Sequence, residues 1–161
     1  MRNFEKISWR AFSQQIIDDK EMYENYLLPS RASKSSAGYD FFALKDYVIK
    51  PGEIVKIPTG YKAKFNENEV LFLILRSSLG FKYNLRLTNQ VGVIDRDYYN
   101  NSGNEGHIYV SIQNEGNKEF VLRQNEAYVQ GIFVNYLLTD DDKATNDRIG
   151  GIGSTNKEKE G

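Results

Sequence analysis

The residues best suited to chemistry in this chain lie at positions 92–98, which read G-V-I-D-R-D-Y. Apolar residues lead into Asp95, and the aromatic ring of Tyr98 follows three positions later. This order predicts a strand that delivers a carboxylate at its end and then turns back. A carboxylate that is ionised at neutral pH can accept a proton from water, so Asp95 is a candidate general base. The alternative is an ordinary turn in which the aspartate bonds its own backbone.

A first candidate anion site follows the apolar run at positions 70–75. There Arg76, Ser77 and Ser78 place a guanidinium and two hydroxyl groups where a predicted strand gives way to a turn. Guanidinium and hydroxyl groups donate hydrogen bonds to phosphate oxygens. The sequence therefore predicts a phosphate-binding turn here.

A second candidate anion site lies near the C-terminus, where Arg148 opens the sequence R-I-G-G-I-G-S-T. Glycines leave backbone N–H groups accessible, and Ser154 and Thr155 add hydroxyl donors. These are the groups that a segment needs in order to wrap around a phosphate. A frayed terminus without function is the alternative.

Three further polar residues stand on the predicted strands or beside them. Asp40 closes the sequence A-G-Y-D, Asn89 lies three residues before Gly92, and Gln130 interrupts an apolar run. A buried amide or carboxylate needs a hydrogen-bond partner. Each of these residues is thus either a structural hydrogen-bonding group or part of a site.

Short β-type runs must position these groups. The runs are rich in β-branched, aromatic and leucine residues, and turn sequences containing Pro, Gly and Asn separate them. Many short strands without alternating long helices predict an all-β fold, a distorted jelly-roll β-barrel. The predicted strands are residues 39–44, 47–49, 54–57, 61–65, 70–75, 85–87, 90–94, 108–112, 120–122 and 127–138.

Residues 1–28 are the only part of the chain with a helical pattern. Ser8 is suited to cap a helix, and Trp9, Phe12 and Ile16 recur on one helical face. We therefore expect a short N-terminal helical extension that packs against the domain or a neighbouring subunit.

Length and composition narrow the class of protein. The 161 residues favour one domain over positions 1–139, and the acidic, glycine-rich positions 140–161 predict a flexible C-terminal arm. A net charge of −1 argues against binding to nucleic acid or to an anionic membrane. Cysteine is absent, which excludes disulfides and thiolate chemistry. The single histidine, His107, is expected at a strand edge, because it lacks the clustered partners that a metal site requires. A cytoplasmic protein is expected, because no apolar run is long enough to span a bilayer.

Five weak motifs occur in one order, namely A-G-Y-D, R-S-S-L-G, N-Q-V-G-V-I-D-R-D-Y, V-Q-G-I-F and R-I-G-G-I-G-S-T. Across residues 37–155, this order and these intervals resemble the motif pattern of the trimeric dUTP diphosphatases, or dUTPases. The resemblance implies a homotrimer of jelly-roll subunits that hydrolyses dUTP to dUMP and pyrophosphate with Mg²⁺. That reaction limits uracil incorporation into DNA and supplies dUMP for dTTP synthesis. The active sites are expected at subunit interfaces, where the C-terminal arm closes over the nucleotide.

The resemblance assigns roles to the third motif. Asp95 orients and deprotonates the water that attacks the α-phosphorus, and Tyr98 packs against the deoxyribose so that a 2′-hydroxyl has no room. Backbone groups of the hairpin, together with Asn89 before it, read the hydrogen-bonding edge of uracil and exclude the methyl group of thymine. The residues assigned to this role are Asn89, Gly92, Val93 and Ile94.

The resemblance also assigns the phosphates and the metal. Arg148 neutralises the γ-phosphate, as arginines do in other phosphoryl transfers. Asp40 and Gln130 orient the water shell of an Mg²⁺ ion that the substrate phosphates hold. The remaining substrate-binding residues are Arg76, Ser77, Ser78, Gln130, Gly153, Ser154 and Thr155.

Three features differ from the usual pattern. The fifth motif has one residue fewer between Arg148 and its glycine pair. Ile152 stands where a phenylalanine usually stacks on uracil, so this side chain can cover the base with apolar surface but cannot offer an aromatic face. The fourth motif keeps an acidic residue and Gln130 but lacks the basic residue between them. The turn after Tyr98 is longer than usual, and its residues 100–105 are candidates for specificity or for a partner contact.

Two alternatives stay open. A dCTP deaminase-like or bifunctional enzyme of the same fold would need a glutamate suited to activating water at the cytosine ring, and no such motif replaces G-V-I-D. A regulatory binding protein would instead use the nucleotide site as a switch. It would recruit a protein partner through residues 100–105 or through the N-terminal helix.

Overall fold

A computed structural model describes residues 1–153, within which eleven strands and three short α-helices are formed. All the strand pairs are antiparallel. The strands are β1 (Asn3–Lys6), β2 (Tyr39–Phe42), β3 (Tyr47–Ile49), β4 (Ile54–Pro58), β5 (Tyr61–Lys64), β6 (Glu69–Leu75), β7 (Leu85–Leu87), β8 (Gly92–Ile94), β9 (Tyr109–Asn114), β10 (Phe120–Leu122) and β11 (Ala127–Asn135). The helices are α1 (Trp9–Gln15), α2 (Lys20–Asn25) and α3 (Ser77–Tyr83), and a 3₁₀ turn spans Arg96–Tyr98.

The strands form two larger sheets and two strand pairs. One sheet has the order β2-β11-β6-β8 and the other has the order β4-β9-β7, while β1 pairs with β5 and β3 pairs with β10. The predicted all-β, jelly-roll architecture is confirmed, because short antiparallel strands enclose one core of aliphatic and aromatic side chains. The largest side chains that are fully buried in this core include Tyr61, Tyr128, Phe12, Phe41 and Ile7.

The N-terminal region contains one strand and two short helices, whereas its sequence predicts a single helical segment. Ser8 caps α1 as expected, because its Oγ accepts a hydrogen bond from the N–H of Ala11 at 3.2 Å. Asp19 caps a second helix, α2, by accepting from the N–H of Met22 at 2.9 Å. Before both helices, β1 pairs with β5. A four-residue strand with one buried side chain, Phe4, carries almost no period-2 signal, so this strand was missed.

The segment after β6 also differs from its sequence-based prediction. The predicted turn R-S-S-L-G is instead the start of α3, and Arg76 is the N-cap residue of this helix. The helix ends at Asn84, whose backbone lies in the left-handed region with φ +53°. Only Leu79 is buried in this helix, so no apolar periodicity reveals it. None of the helices within residues 1–153 is long and apolar enough to cross a membrane.

Candidate active site

Strand β8 carries the candidate catalytic residue to the surface. It pairs with β6 along one edge, and Gly92 packs so closely on Leu73 that an added Cβ would lie 2.9 Å from the Cβ of Leu73. A side chain at position 92 would push the strand away from the sheet. The glycine therefore sets the position of Asp95, which follows the strand directly and has an exposed carboxylate.

A cleft of about 710 Å³ opens beside the end of β8. The structure brings nine of the predicted site residues into its lining: Asn89, Gly92, Val93, Ile94, Asp95, Tyr98, Arg148, Ile152 and Gly153. A concave site with an apolar wall and a few convergent polar groups is the usual form of a small-molecule site. The hairpin and the arm thus line one cleft.

The arm contacts the hairpin through Arg148. Its Nη2 donates to Oδ2 of Asp95 at 2.7 Å, and its Nε donates to Oδ1 of Asp97 at 2.8 Å. The guanidinium carbon also lies 5.8 Å from the ring centroid of Tyr98, within the range of a cation–π contact. Sequence reasoning missed Asp97, because nothing in its neighbourhood distinguishes it from an ordinary turn carboxylate.

Tyr98 forms a rigid part of the cleft wall, with 6% of its surface exposed. Its hydroxyl donates to the carbonyl oxygen of His107 at 2.8 Å and accepts from Nδ2 of Asn104 at 2.7 Å. Burial raises the pKa of Tyr98 above its ordinary value of 10.0, so the hydroxyl is protonated at neutral pH. The ring is consequently held by bonds at its far end rather than by packing alone.

His107 is fully buried and lies just before β9. Its Nε2 accepts from the N–H of Gly60 at 3.0 Å, which leaves Nδ1 to donate to Oε1 of Gln15 at 2.7 Å. Burial lowers the pKa of His107 from 6.5 to about 4. The neutral ring therefore connects α1 to the segment that supports Tyr98.

The asparagine-rich loop after the hairpin, residues 100–106, is folded on itself and against the arm. Asn101 is 7% exposed, and its Nδ2 donates to the carbonyl oxygen of Tyr98 at 2.7 Å. Ser102 Oγ donates to the carbonyl oxygen of Ile149 in the arm at 2.7 Å. The sequence predicted only that residues 100–105 could carry specificity or a partner contact, and it gave no individual role to Asn101 or Ser102. The available signal was its density of Asn and Gly, which is typical of a loop that bonds its own backbone.

A second cluster combines the other predicted residues. Arg76 Nε lies 3.6 Å from Oδ1 of Asp40, and Asp40 stands directly opposite Gln130 in the pairing of β2 with β11. A Cβ at Gly38 would overlap the Gln130 side-chain amide, so the glycine makes room for that amide. Arg76 and Ser77 line a smaller cleft of about 370 Å³ that shares only Leu87 with the larger one.

Ser78 lies in the first turn of α3, beside this cluster. The predicted phosphate-binding residues Ser154 and Thr155 lie outside the described residues. Among residues 1–153, no group of three His, Cys, Asp or Glu side chains is placed to hold a metal ion directly.

Comparison with known proteins assigns the family. The sequence profile described as dUTPase matches residues 24–156. The deoxyuridine 5′-triphosphate nucleotidohydrolase of Lactococcus lactis subsp. lactis is 45% identical over 130 residues, which cover 80% of this chain and 87% of that protein. The crystal structure of the dUTPase from Streptococcus mutans is 42% identical with a TM-score of 0.70, and the match covers 86% of this chain and 98% of that chain. This chain therefore belongs to the dUTPase family.

More distant structures share the fold alone. A mutant dUTPase from phage phi11 of S. aureus is 19% identical with a TM-score of 0.66, and the match covers 91% of this chain and 97% of that chain. Its description names the coordination of a structural Mg(II) ion.

Proposed function

We propose that this protein hydrolyses dUTP to dUMP and pyrophosphate, with Asp95 as the general base. The observation that carries the proposal is the position of the Asp95 carboxylate, which stands at the end of β8 in the lining of the same cleft as Tyr98 and the arm. A carboxylate at the rim of a cleft can hold a water against a phosphorus atom and take its proton. Membership of the dUTPase family supports this reaction.

The apolar depth of the cleft suits a deoxynucleoside. The ring of Tyr98 is buried and held at its hydroxyl by Asn104. A deoxyribose would pack against this ring, and a 2′-hydroxyl would collide with it. The backbone of β8 and its approach supplies N–H and C=O groups that can read the uracil edge. Close packing of Gly92 on Leu73 keeps this hairpin from widening to admit a thymine methyl group.

Phosphate binding falls to the arm and to the second cluster. Arg148 is already inside the cleft, where two carboxylates hold it. A triphosphate offers several anionic oxygens to the same guanidinium, so Arg148 exchanges its carboxylate partners for phosphate when the substrate enters. Gly153 and the predicted Ser154 and Thr155 follow in the arm, and Ile152, which is 80% exposed, is free to cover the base.

The residues present fit a magnesium ion that is bound mainly by the substrate. Mg²⁺ keeps several waters and is usually held by phosphates with one or two protein carboxylates nearby. Asp40 and Gln130 provide one carboxylate and one amide, and the gap beside Gly38 places that amide. When bound, the ion would neutralise charge on the phosphates, while Asp40 and Gln130 hold its waters.

The second cluster completes the site from a neighbouring subunit of a homotrimer. Within one chain, Asp95 and Arg76 line different clefts, so the described chain alone does not surround a nucleotide with both phosphate-binding groups. Large apolar side chains are also exposed, with Phe81 at 91%, Leu137 at 96% and Leu138 at 60%. Exposed apolar surface of this kind marks subunit contacts. A cytoplasmic location, where the nucleotide pool lies, suits this function.

A panel of nucleotides tests the proposal. Purified protein with Mg²⁺ should release pyrophosphate from dUTP and far less from dCTP, dTTP or UTP. Asp95→Asn should lose nearly all of this rate and still bind dUTP, because the amide keeps the size of the carboxylate but cannot take a proton. Deamination of dCTP, or full activity of Asp95→Asn, would refute the proposal.

A further inference from the structure

Asn104 lies between the hairpin and the arm and contacts both. Its Nδ2 donates to the hydroxyl of Tyr98 at 2.7 Å, and an added Cβ at Gly151 of the arm would lie 3.0 Å from the same Nδ2. We propose that Asn104 is a positioning residue for sugar selection, which fixes the hydroxyl of Tyr98 and is itself held in place by the docked arm. This inference rests on the proposed function, because the selection is measured with dUTP and UTP.

The hydrogen bonds of Tyr98 show why one amide matters. Within the described residues, the hydroxyl donates to the carbonyl oxygen of His107 at 2.8 Å and accepts from Asn104. The second bond comes from a different side chain, so it adds a separate constraint on the position of the hydroxyl and, through it, of the buried ring.

The orientation of the Asn104 amide is set by its own neighbours. Its Oδ1 accepts from Nδ2 of Asn101 at 2.7 Å and from the N–H of Gly106 at 3.1 Å. With both donors on the oxygen, the nitrogen must face Tyr98. The loop thus determines which end of the amide reaches the site. A flipped amide would lose the bonds from Asn101 and Gly106 and those to Tyr98 and to the carbonyl oxygen of His107.

The arm packs on the outer side of the same loop. Ser102 Oγ donates to the carbonyl oxygen of Ile149, and an added Cβ at Gly103 would lie 3.2 Å from the backbone nitrogen of Gly151. Glycines on both sides let the two backbones approach closely. The docked arm therefore packs on the loop that carries Asn104.

Sugar selection by Tyr98 depends on the distance between its ring and C2′ of the sugar. A ribose differs from a deoxyribose by one oxygen atom, so a small displacement of the ring is enough to admit it. Asn104 does not need to touch the substrate in order to affect this distance. Its effect passes through the hydroxyl of Tyr98.

A double-mutant cycle tests the inference. We expect Asn104→Ala to lower the ratio of kcat/KM for dUTP over UTP by about three- to tenfold, the range for loss of one hydrogen bond. Asn117→Ala, a matched change on an exposed loop away from the cleft, should leave the ratio within about twofold. In a Tyr98→Phe background, Asn104→Ala should have no further effect, because the hydroxyl through which it acts is gone. Thermal unfolding of each variant shows whether it is folded.

Gly151→Ala gives a second test that leaves the loop sequence intact. Its methyl group meets the amide of Asn104, so the selectivity ratio should fall here as well. Unchanged selectivity in a folded Asn104→Ala protein, or an equal loss with and without the Tyr98 hydroxyl, would overturn the inference. Unchanged selectivity in Gly151→Ala would overturn the part assigned to the arm. A wild-type protein that releases no pyrophosphate from dUTP would instead refute the proposed function.

Discussion

Arg148 of the arm donates through Nη2 to Oδ2 of Asp95 at 2.7 Å, so the candidate general base is paired with a cation of its own chain. The same guanidinium reaches Asp97. The Asp95 oxygen that accepts this hydrogen bond is occupied by the guanidinium and is not open to a water. We therefore expect the triphosphate to draw Arg148 away from Asp95 and to give the guanidinium phosphate partners instead.

Removal of Arg148 should impair catalysis although it frees Asp95. We expect Arg148→Ala to lower kcat/KM for dUTP by about 10² or more, since arginines that neutralise a transferred phosphate chain contribute at least this much. Steady-state release of pyrophosphate measures the effect. Arg123→Ala removes a guanidinium from the exposed ion pair with Asp46 and should change the rate by less than about twofold. An Arg148→Ala protein as fast as the wild type would show that the arm's cation only blocks the base.

A methyl group at position 92 should displace the catalytic strand. In Gly92→Ala the added Cβ lies too close to the Cβ of Leu73, so β8 must move away from β6. We expect a loss of about 1–3 kcal/mol in the free energy of unfolding by urea, together with a lower kcat. Gly80→Ala is the matched control for stability, because an added Cβ there meets nothing closer than 3.7 Å. Equal stabilities of the two variants would contradict the close contact of β8 with β6.

His107 should make the folded state sensitive to mild acid. Its pKa is lowered to about 4 by burial, whereas the unfolded chain takes up the proton near pH 6.5. Stability is therefore complete above pH 6.5 and decreases as the pH falls towards 4, below which this contribution changes no further. The expected loss is about 3 kcal/mol, because a pKa difference of one corresponds to about 1.4 kcal/mol. His107→Gln should be less stable at neutral pH, but its free energy of unfolding should change less between pH 7 and 4 than that of the wild type. If the two proteins lost stability in parallel over this range, His107 would not be the group responsible.

Sites shared between subunits should permit complementation. Asp95→Asn and Arg76→Ala chains are each expected to form inactive trimers. If Asp95 of one chain works with Arg76 of a neighbour, refolding the two variants together at equal amounts should restore about a quarter of the wild-type activity, because each mixed trimer has one intact site. No recovery in mixed trimers would place both residues in a site within one chain.

The sequence predicted the strands of the barrel well because most of them carry strong β-type runs. It missed β1 and α3, since each has a single buried apolar residue and owes its structure to tertiary contacts. For β11 the prediction ran to residue 138, whereas the strand ends at Asn135 and exposed apolar residues follow.

Some contacts of the candidate site could be predicted from the sequence, and others could not. Motif order predicts that the hairpin and Arg148 serve one nucleotide site. Both line one cleft in the structure, and their roles at that site stay predictions. The bond of Asn104 to Tyr98 was not predictable, because it depends on how an asparagine-rich loop folds on itself. The pairing of Arg148 with Asp97 likewise arises only when residues 51 positions apart meet.

The central claim is that a water activated by Asp95 attacks the α-phosphorus of dUTP. Hydrolysis of dUTP by the protein in water enriched with ¹⁸O, followed by mass spectrometry of the products, tests it most directly. The account predicts one ¹⁸O atom in the phosphate of dUMP and none in pyrophosphate. Label in pyrophosphate instead would mean attack at the β-phosphorus and would contradict it.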